Sequence, residues 1–205
     1  MFPYRYEADS SKGPKQKIPW ASIDGELVGD SELIIDRLSE QCNVNLDSGL
    51  SDQEAALGLC IRRLCEEHLH QVAEYELIVT DTGYNTKFYP FLQNVMPWMS
   101  ILIGPYLRRH FRTQLYARGI ARHSDEDIVK MGKADIDALS AMLGNKDWFV
   151  SKKPTLTDCA VFGQLSFFAL SGLQTPVCIH AASKPNLVKW CNKVKDLIDH
   201  EKLVT

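Results

Sequence analysis

The chain has 205 residues, of which 45% are hydrophobic and 24% charged, and its formal net charge is −3. These values are ordinary for a soluble globular protein, and the slight acidity argues against a dedicated nucleic-acid binder. No apolar run reaches the ~18 residues of a membrane span, and the first residues lack the apolar core of a signal peptide. We therefore expect a cytoplasmic protein of one large domain or two small ones, with its six cysteines as reduced thiols.

Two short strands and a helix are predicted near the start of the chain. Pro3 to Ala8 alternates tyrosine with charged residues and predicts a first strand, which a polar loop over residues 10–16 follows. Trp20 to Ile23 predicts another strand, and Asp24-Gly25 predicts a tight two-residue turn because both positions need positive φ. Glu26 to Val28 then returns as the partner strand.

A helix follows this hairpin. Asp30 and Ser31 are residue types that cap helices, and Leu33, Ile34 and Leu38 after them predict an apolar face. The next segment, residues 41–50, is polar and predicts a linker between two domains.

From Ser51 onward the pattern is helical. Three capping boxes or similar pairs, Ser51/Glu54, Ser124/Asp127 and Thr155/Asp158, each predict a helix start. Between the first two we predict an aromatic loop over residues 80–91 and a helix from Pro97 to about Ala121. Two sets of apolar residues mark the flanking helices. They are Leu57, Ile61, Leu64, Val72, Tyr75 and Val79 in the first helix, and Leu187, Trp190, Cys191, Val194, Leu197 and Ile198 in the last.

The helix opened by Thr155 is predicted to be central and buried. Val161, Phe162, Leu165, Phe168 and Ala169 give it a nearly complete apolar surface. Asp158 occupies the third helical position of its box, so we interpret this residue as structural.

The succession of proline, strand, turn, strand, cap and helix in residues 17–38 resembles the second half of the thioredoxin-like domain of glutathione transferases. The resemblance implies a cis peptide bond between Ile18 and Pro19. It also implies that the backbone of Ile18 binds the cysteinyl part of glutathione, that Asp30 and Ser31 bind its γ-glutamyl end, and that Lys17 contacts its glycyl carboxylate. A helix N-terminus with free N–H groups attracts a carboxylate in any case. The alternative is that Asp30 or Ser31 is only a cap.

The segment from Gly119 to Leu165 resembles the failed-axon-connections and metaxin-like branch of the same superfamily. Arg122-His123-Ser124 and Lys153-Pro154-Thr155 carry this resemblance, together with Asp158. It implies an α/β thioredoxin-like domain over residues 1–41, incomplete at its start, and an all-α domain over residues 51–205.

The predicted N-terminal domain departs from the family because no sequence before Pro3 matches its first strand and helix. The catalytic hydroxyl or thiol of glutathione transferases lies in that region, so we assign no catalytic residue. The resemblance implies glutathione as substrate and small-molecule partner, conjugation to small electrophiles, and it allows a homodimer. The alternative is a non-catalytic adaptor. We expect weak glutathione binding and little conjugation.

Three further groups of residues are candidate sites. Cys60, Cys65, His68 and His70 do not converge as four metal ligands need to, so no metal site is predicted. The arginines of the helix after Pro97 form either a solvated face or the wall of an anion pocket. The aromatic residues form either a pocket for a second substrate or ordinary packing between helices. The arginines are Arg108, Arg109, Arg112, Arg118 and Arg122, and the aromatic residues are Tyr84, Phe88, Tyr89, Trp98 and Tyr106.

Overall fold

The structure is a computed structural model that describes residues 12–14 and 18–203. The chain divides into two compact units at the boundary between Ser48 and Gly49, which falls inside the predicted linker. We call them the N-terminal unit and the helical unit. The predicted strand from Pro3 to Ala8 and part of the loop over residues 10–16 lie outside the described residues.

The described part of the N-terminal unit is a hairpin followed by a helix. Strands β1 (Trp20–Ile23) and β2 (Glu26–Gly29) pair antiparallel, and α1 (Ser31–Cys42) follows directly. Asp24 and Gly25 connect the strands with φ of 53° and 86°, the positive values that a two-residue turn of this kind requires. The predicted hairpin is therefore confirmed.

The predicted apolar face of α1 is wrong in part. Leu33 is 53% exposed and Leu38 is 39% exposed, whereas Ile34 and Ile35 are half-buried. No residue of α1 is fully buried. The physical reason is that the two strands that the structure describes here form a narrow surface, which shields only a strip of the helix laid against it.

The helical unit follows from residue 49. Its α-helices are α2 (Asp52–Arg63), α3 (His70–Glu74), α4 (Asp81–Gly83), α5 (Tyr89–Val95), α6 (Ser100–Arg118), α7 (Asp125–Leu143), α8 (Leu156–Leu170), α9 (Pro176–Ala182) and α10 (Pro185–Leu203). Three π-helical segments, Leu64–Leu69, Tyr75–Val79 and Tyr84–Phe88, join α2 through α5, and a short 3₁₀ turn spans Ile120–Arg122.

The π-helical segments change which residues face the core. Ile61, Cys65 and Leu69 are fully buried at spacings of four residues, wider than the 3.6 residues of an α-helix. The predicted apolar stripe included Leu64, which is only half-buried, and omitted Cys65 and Leu69. Leu57, also in that stripe, is 43% exposed, so its assignment to the core is wrong.

The predicted loop over residues 80–91 is helical apart from a break at Thr80, which has ψ of 149° and caps the next turn. Tyr84 is buried, so the aromatic residues here contribute to packing along a helix. The following helix begins at Ser100 rather than at Pro97, because residues 96–99 form a turn in which the Ser100 amide donates to the Met96 carbonyl at 2.9 Å.

Helix α8 lies in the core, as predicted. Val161, Leu165 and Phe168 are at most 1% exposed, and they belong to a cluster that α2, α7, α9 and α10 also enter. Along α10, Leu187 and Trp190 join the same cluster, whereas Leu197 and Ile198 at its far end are exposed.

The start of α8 confirms the predicted capping box. One oxygen of Asp158, Oδ2, accepts hydrogen bonds from the amide and the hydroxyl of Thr155, both at 2.9 Å. The other, Oδ1, accepts from the amide of Phe149 at 3.0 Å. Asp158 is 2% exposed, so this carboxylate joins the loop before α8 to the helix itself inside the core. The predicted pairs at Ser51 and Ser124 also form, on exposed residues.

A second buried carboxylate, Glu76, links two parts of the helical unit. Its oxygens accept from the hydroxyl of Thr175 at 2.6 Å and from the amide of Val177 at 3.0 Å. The side chain thus binds the N-terminal end of α9, where free amide groups favour a carboxylate. Burial nevertheless raises the pKa of Glu76, and its hydrogen bonds only partly oppose this shift.

Candidate functional site

The hairpin brings together four of the five residues predicted to bind glutathione: Ile18, Pro19, Asp30 and Ser31. Trp20 pairs with Gly29 at the open end of the β1–β2 ladder. Next to this pair, the amide of Asp30 donates to the carbonyl of Pro19 at 3.2 Å. Pro19 and Asp30, eleven positions apart in sequence, are therefore held within one hydrogen bond of each other, at the N-terminal end of α1.

Asp30 is the N-cap residue of α1. Its backbone has φ of 90°, its carbonyl accepts from the Ile34 amide at 3.0 Å, and its Oδ1 accepts from the Glu32 amide at 2.9 Å. The amides of Ser31 and Leu33 have no acceptor among the described residues. The cap thus leaves two N–H groups and the exposed Ser31 hydroxyl at the helix end, where the partial positive charge of the helix attracts anions.

The peptide bond between Ile18 and Pro19 is cis, as the resemblance predicted. Ile18 is 68% exposed, and its backbone precedes the paired residues of β1, so it has no ladder partner in the described sheet. Lys17, the remaining predicted contact, lies outside the described residues.

Gly29 determines how closely the preceding loop approaches this end of the hairpin. A Cβ atom at Gly29 would lie 2.9 Å from Cγ of Pro14 and 3.4 Å from its carbonyl oxygen. No other residue type fits there without displacing the loop. No local sequence pattern predicts this contact, because it joins residues fifteen positions apart.

The cysteines and histidines of the first long helical run do not converge. Cys60 is exposed, and Cys65 is buried with its pKa raised to about 12 by desolvation. His68 Nδ1 lies 2.5 Å from a carboxylate oxygen of Asp135, and His70 bonds other partners. In the part of the chain that the structure describes, no group of three or more His, Cys, Asp or Glu side chains is arranged to hold a metal.

Three of the five arginines are engaged by neighbouring groups. Arg108 donates to the Val79 carbonyl at 2.6 Å and to Asp81 at 2.6 Å. Arg118 pairs with Glu74 at 3.3 Å. Arg122 donates to the Tyr116 carbonyl at 2.9 Å and lies 5.2 Å from the centre of its ring. Arg109 and Arg112 are exposed. The five side chains therefore do not form one wall of a pocket.

The aromatic residues also separate into two groups. Tyr84 stacks on Tyr89 with ring centres 5.6 Å apart and contacts Phe88 at 6.1 Å. Trp98 and Tyr106 are instead 93% and 65% exposed. The first group is packing between helices, and the second is a surface feature.

A cavity that the sequence analysis missed lies between α8 and α9, with a volume of ≈ 320 Å³. Its walls include Phe168, Leu173 and Ile179, together with Cys178. Burial raises the pKa of the Cys178 thiol to about 12, which disfavours the nucleophilic thiolate. The cavity is small and mostly apolar, and Gln174 and Ser183 are the other polar residues that line it.

Comparison with known proteins identifies the family to which the chain belongs. The family model of the glutathione S-transferase N-terminal domain matches residues 1–83, and that of the glutathione S-transferase C-terminal domain matches residues 132–194. An isoprene-epoxide–glutathione S-transferase of Rhodococcus sp. (strain AD45) is 30% identical over 91% of this chain and 79% of its own length. The chain belongs to the glutathione S-transferase superfamily. The predicted fold is thereby confirmed: a thioredoxin-like start and an all-helical C-terminal domain.

Two further relatives support the metaxin-like resemblance. Failed axon connections of Drosophila melanogaster is 29% identical over 90% of this chain, and a Metaxin-1 homolog of Caenorhabditis briggsae is 25% identical over 87%. The chain spans 47% and 61% of the lengths of these two proteins. No solved structure was found to match it. The predicted domain extents, 1–41 and 51–205, stay a prediction. In the described residues no helix is long and apolar enough to cross a membrane.

Proposed function

We propose that this protein binds glutathione at the end of the hairpin and conjugates it to a small electrophile. The observation that carries the proposal is the hydrogen bond between the Asp30 amide and the Pro19 carbonyl. It sets Ile18, whose backbone has no ladder partner in the described sheet, beside the N-terminal end of α1. A tripeptide thiol with a carboxylate and an ammonium at one end matches these groups.

Each end of the ligand has a counterpart in this arrangement. The γ-glutamyl carboxylate binds the free amides and the hydroxyl at Ser31, with the helix dipole favouring its charge. The ammonium binds the carboxylate of Asp30, whose Oδ2 has no donor among the described residues. The cysteinyl backbone pairs with Ile18, and Lys17 is the predicted contact of the glycyl carboxylate.

The electrophile proposed here is a small epoxide. The Rhodococcus relative is named for this chemistry, and its match extends over 91% of the chain. The glutathione thiolate attacks a ring carbon, the carbon–oxygen bond breaks, and the alkoxide takes a proton from water. The thiol must first lose its proton, and none of the proposed site residues is assigned to that step.

The binding test compares matched variants by calorimetry with glutathione. Ser31→Ala should lower the affinity about tenfold, since a hydrogen bond to a charged group is lost. Asp30→Asn preserves a good capping residue but removes the charge, so it should also weaken binding about tenfold. Ser39→Ala and Asp36→Asn lie further along α1 and serve as controls.

Cysteinylglycine, which lacks the γ-glutamyl group, makes the test specific. Its affinity should not change in Ser31→Ala or Asp30→Asn, because these residues are assigned only to the missing group. An equal loss for both ligands would show that the variants disturb the hairpin rather than a γ-glutamyl contact, and unchanged glutathione affinity would remove both residues from the site.

The second candidate is a non-catalytic adaptor that retains the fold. Two relatives, Failed axon connections and the Metaxin-1 homolog, match nearly the whole chain without a transferase in their names. Turnover of a small epoxide with glutathione separates the candidates. Product formation that Ser31→Ala reduces supports the transferase, whereas binding without turnover supports the adaptor.

A further inference from the structure

The turn between α5 and α6 carries the most exposed large apolar side chain of the described chain. Trp98 is 93% exposed, and Leu102 and Ile101 beside it are 79% and 69% exposed. We call the following residues the apolar tip: Phe91, Val95, Trp98, Met99, Ile101, Leu102 and Tyr106. Monomeric proteins rarely expose so many neighbouring apolar residues unless the surface has a binding function.

The backbone holds the tip in place. The amides of Met99 and Ser100 donate to the Met96 carbonyl at 3.2 and 2.9 Å, and the Ser100 hydroxyl donates to the Pro97 carbonyl at 2.9 Å. Ser100 itself is 1% exposed. The turn is therefore anchored by internal hydrogen bonds while its large side chains remain on the outside.

The charge around the tip differs in sign from that of the rest of the chain. Residues 82–124 contain six Lys and Arg and no Asp or Glu. Since the whole chain has a net charge of −3, the remaining residues together carry −9. Arg108 and Arg118 pair with Asp81 and Glu74, which lie outside this segment. No described acidic residue pairs with the other four cations, Lys87, Arg109, Arg112 and Arg122, and their charge favours an acidic partner for the segment that bears the apolar tip.

Helix α6 arranges apolar and basic residues along one exposed side. Leu102, Tyr106 and Arg109 are all exposed and are spaced four and three residues apart, so they share a face. Arg109 forms no ion pair with any described residue. Arg109 lies seven residues after Leu102, which corresponds to about 10 Å along the helix axis. That distance matches the depth, about 5–10 Å, to which interfacial helices bury apolar side chains below the lipid headgroups.

We propose that the apolar tip and the basic side of α6 bind the surface of an anionic lipid membrane. Trp98, Ile101 and Leu102 enter the boundary between headgroups and acyl chains, and Arg109 reaches the lipid phosphates. Tryptophan and tyrosine are suited to this boundary because their rings are amphipathic. A second copy of the chain fits less well, since a two-fold contact would set the basic segment against itself.

Co-sedimentation with vesicles tests the proposal. The probes are vesicles of phosphatidylcholine with about one third phosphatidylserine, and vesicles of phosphatidylcholine alone. We expect binding to the first only, and weakening by salt, because salt screens the attraction between basic residues and an anionic surface. No binding, or equal binding to both vesicles, would overturn the proposal.

Matched variants locate the contact. Leu102→Ser and Arg109→Glu should each weaken binding to the anionic vesicles about tenfold or more, because the first loses buried apolar area and the second reverses a charge. Leu197→Ser and Lys130→Glu make the same changes at other exposed positions of the helical unit and should leave binding unchanged. Equal losses in all four variants would contradict the assignment. Melting temperatures equal to the parent's show that the variants fold.

Two further measurements address other occupants of the tip. If the parent is a dimer in sedimentation equilibrium and Leu102→Ser makes it monomeric, the tip is a contact between copies and the lipid proposal fails. If an acidic polypeptide such as polyglutamate binds and the anionic vesicles do not, the partner is a protein, and the proposal also fails. A parent monomer that binds vesicles supports it.

Discussion

The helical unit is built around buried side chains, whereas the described N-terminal unit has hardly any. Helix α8 contributes Val161, Leu165 and Phe168 to a continuous core, and two carboxylates are held inside that core by hydrogen bonds. In the N-terminal unit, α1 buries no residue fully, and Ile23 is the buried hydrophobic residue of the hairpin. The candidate ligand groups all lie in this second, open arrangement.

This difference in burial determines whether a substitution should change stability or ligand affinity. A side chain in the helical unit has many partners, so its removal costs folding free energy. The groups proposed to bind glutathione are backbone amides and exposed polar side chains, so their removal should change affinity with little effect on stability. Three substitutions test this contrast, and we take them in order of expected size.

The largest effect is expected for Asp158→Ala. This change removes the acceptor of three hydrogen bonds and leaves the amides of Phe149 and Thr155 buried without a partner. We expect a loss of about 2–4 kcal/mol in the free energy of unfolding, measured by urea titration. Asp127→Ala, in the exposed box at Ser124, is the control and should cost about 1 kcal/mol or less. Equal losses of unfolding free energy in the two variants would show that burial of the capping box adds nothing to its contribution to stability.

Glu76→Gln should alter the pH dependence of stability. Because burial in the folded state raises the pKa of Glu76 above that of an ordinary glutamate, the protonated form is favoured, and stability is lost as the pH rises through the pKa of the folded state. Glutamine has the shape of the protonated acid and does not ionise. The melting temperature of the variant, relative to the parent, should therefore be higher at pH 8 than at pH 5.

The control for this prediction is Glu67→Gln, an exposed glutamate on the neighbouring π-helical segment. Its melting temperature should follow that of the parent at both pH values. If Glu76→Gln also follows the parent, then ionisation of Glu76 does not limit the stability of the folded state.

Local patterns predicted the features that depend on few residues. The Asp24-Gly25 turn and the box at Thr155 follow from residue types at fixed spacings, and both are present. The resemblance to glutathione transferases supplied the cis bond at Pro19, which no local pattern indicates. The pairing of Pro19 with Asp30 then follows from the register of the hairpin.

Features that depend on tertiary contacts were not predicted. The π-helical segments shift the core face from Leu64 to Cys65 and Leu69, and hydrophobic periodicity assumes a regular helix. The aromatic residues at 84–89 suggested a loop, but a buried surface holds them in helical turns. The exposure of Trp98 was missed because a large apolar residue normally predicts burial.

The smallest effect is expected for Gly25→Ala, compared with Gly172→Ala. Both glycines have positive φ, 86° and 67°, and a Cβ atom would meet no atom within 4 Å at either one. The backbone penalty should thus be the same, about 1–2 kcal/mol. The effect on local opening of the backbone should differ between the two sites. Leu173, which follows Gly172, is anchored in the core, whereas the described hairpin has little buried area to resist opening. Hydrogen exchange of the amides of β1 and β2 should become about tenfold faster in Gly25→Ala. It should remain unchanged in Gly172→Ala. Faster exchange of these strands in both variants would show that the hairpin depends on the helical unit for its stability, and the contrast between the two units would fail.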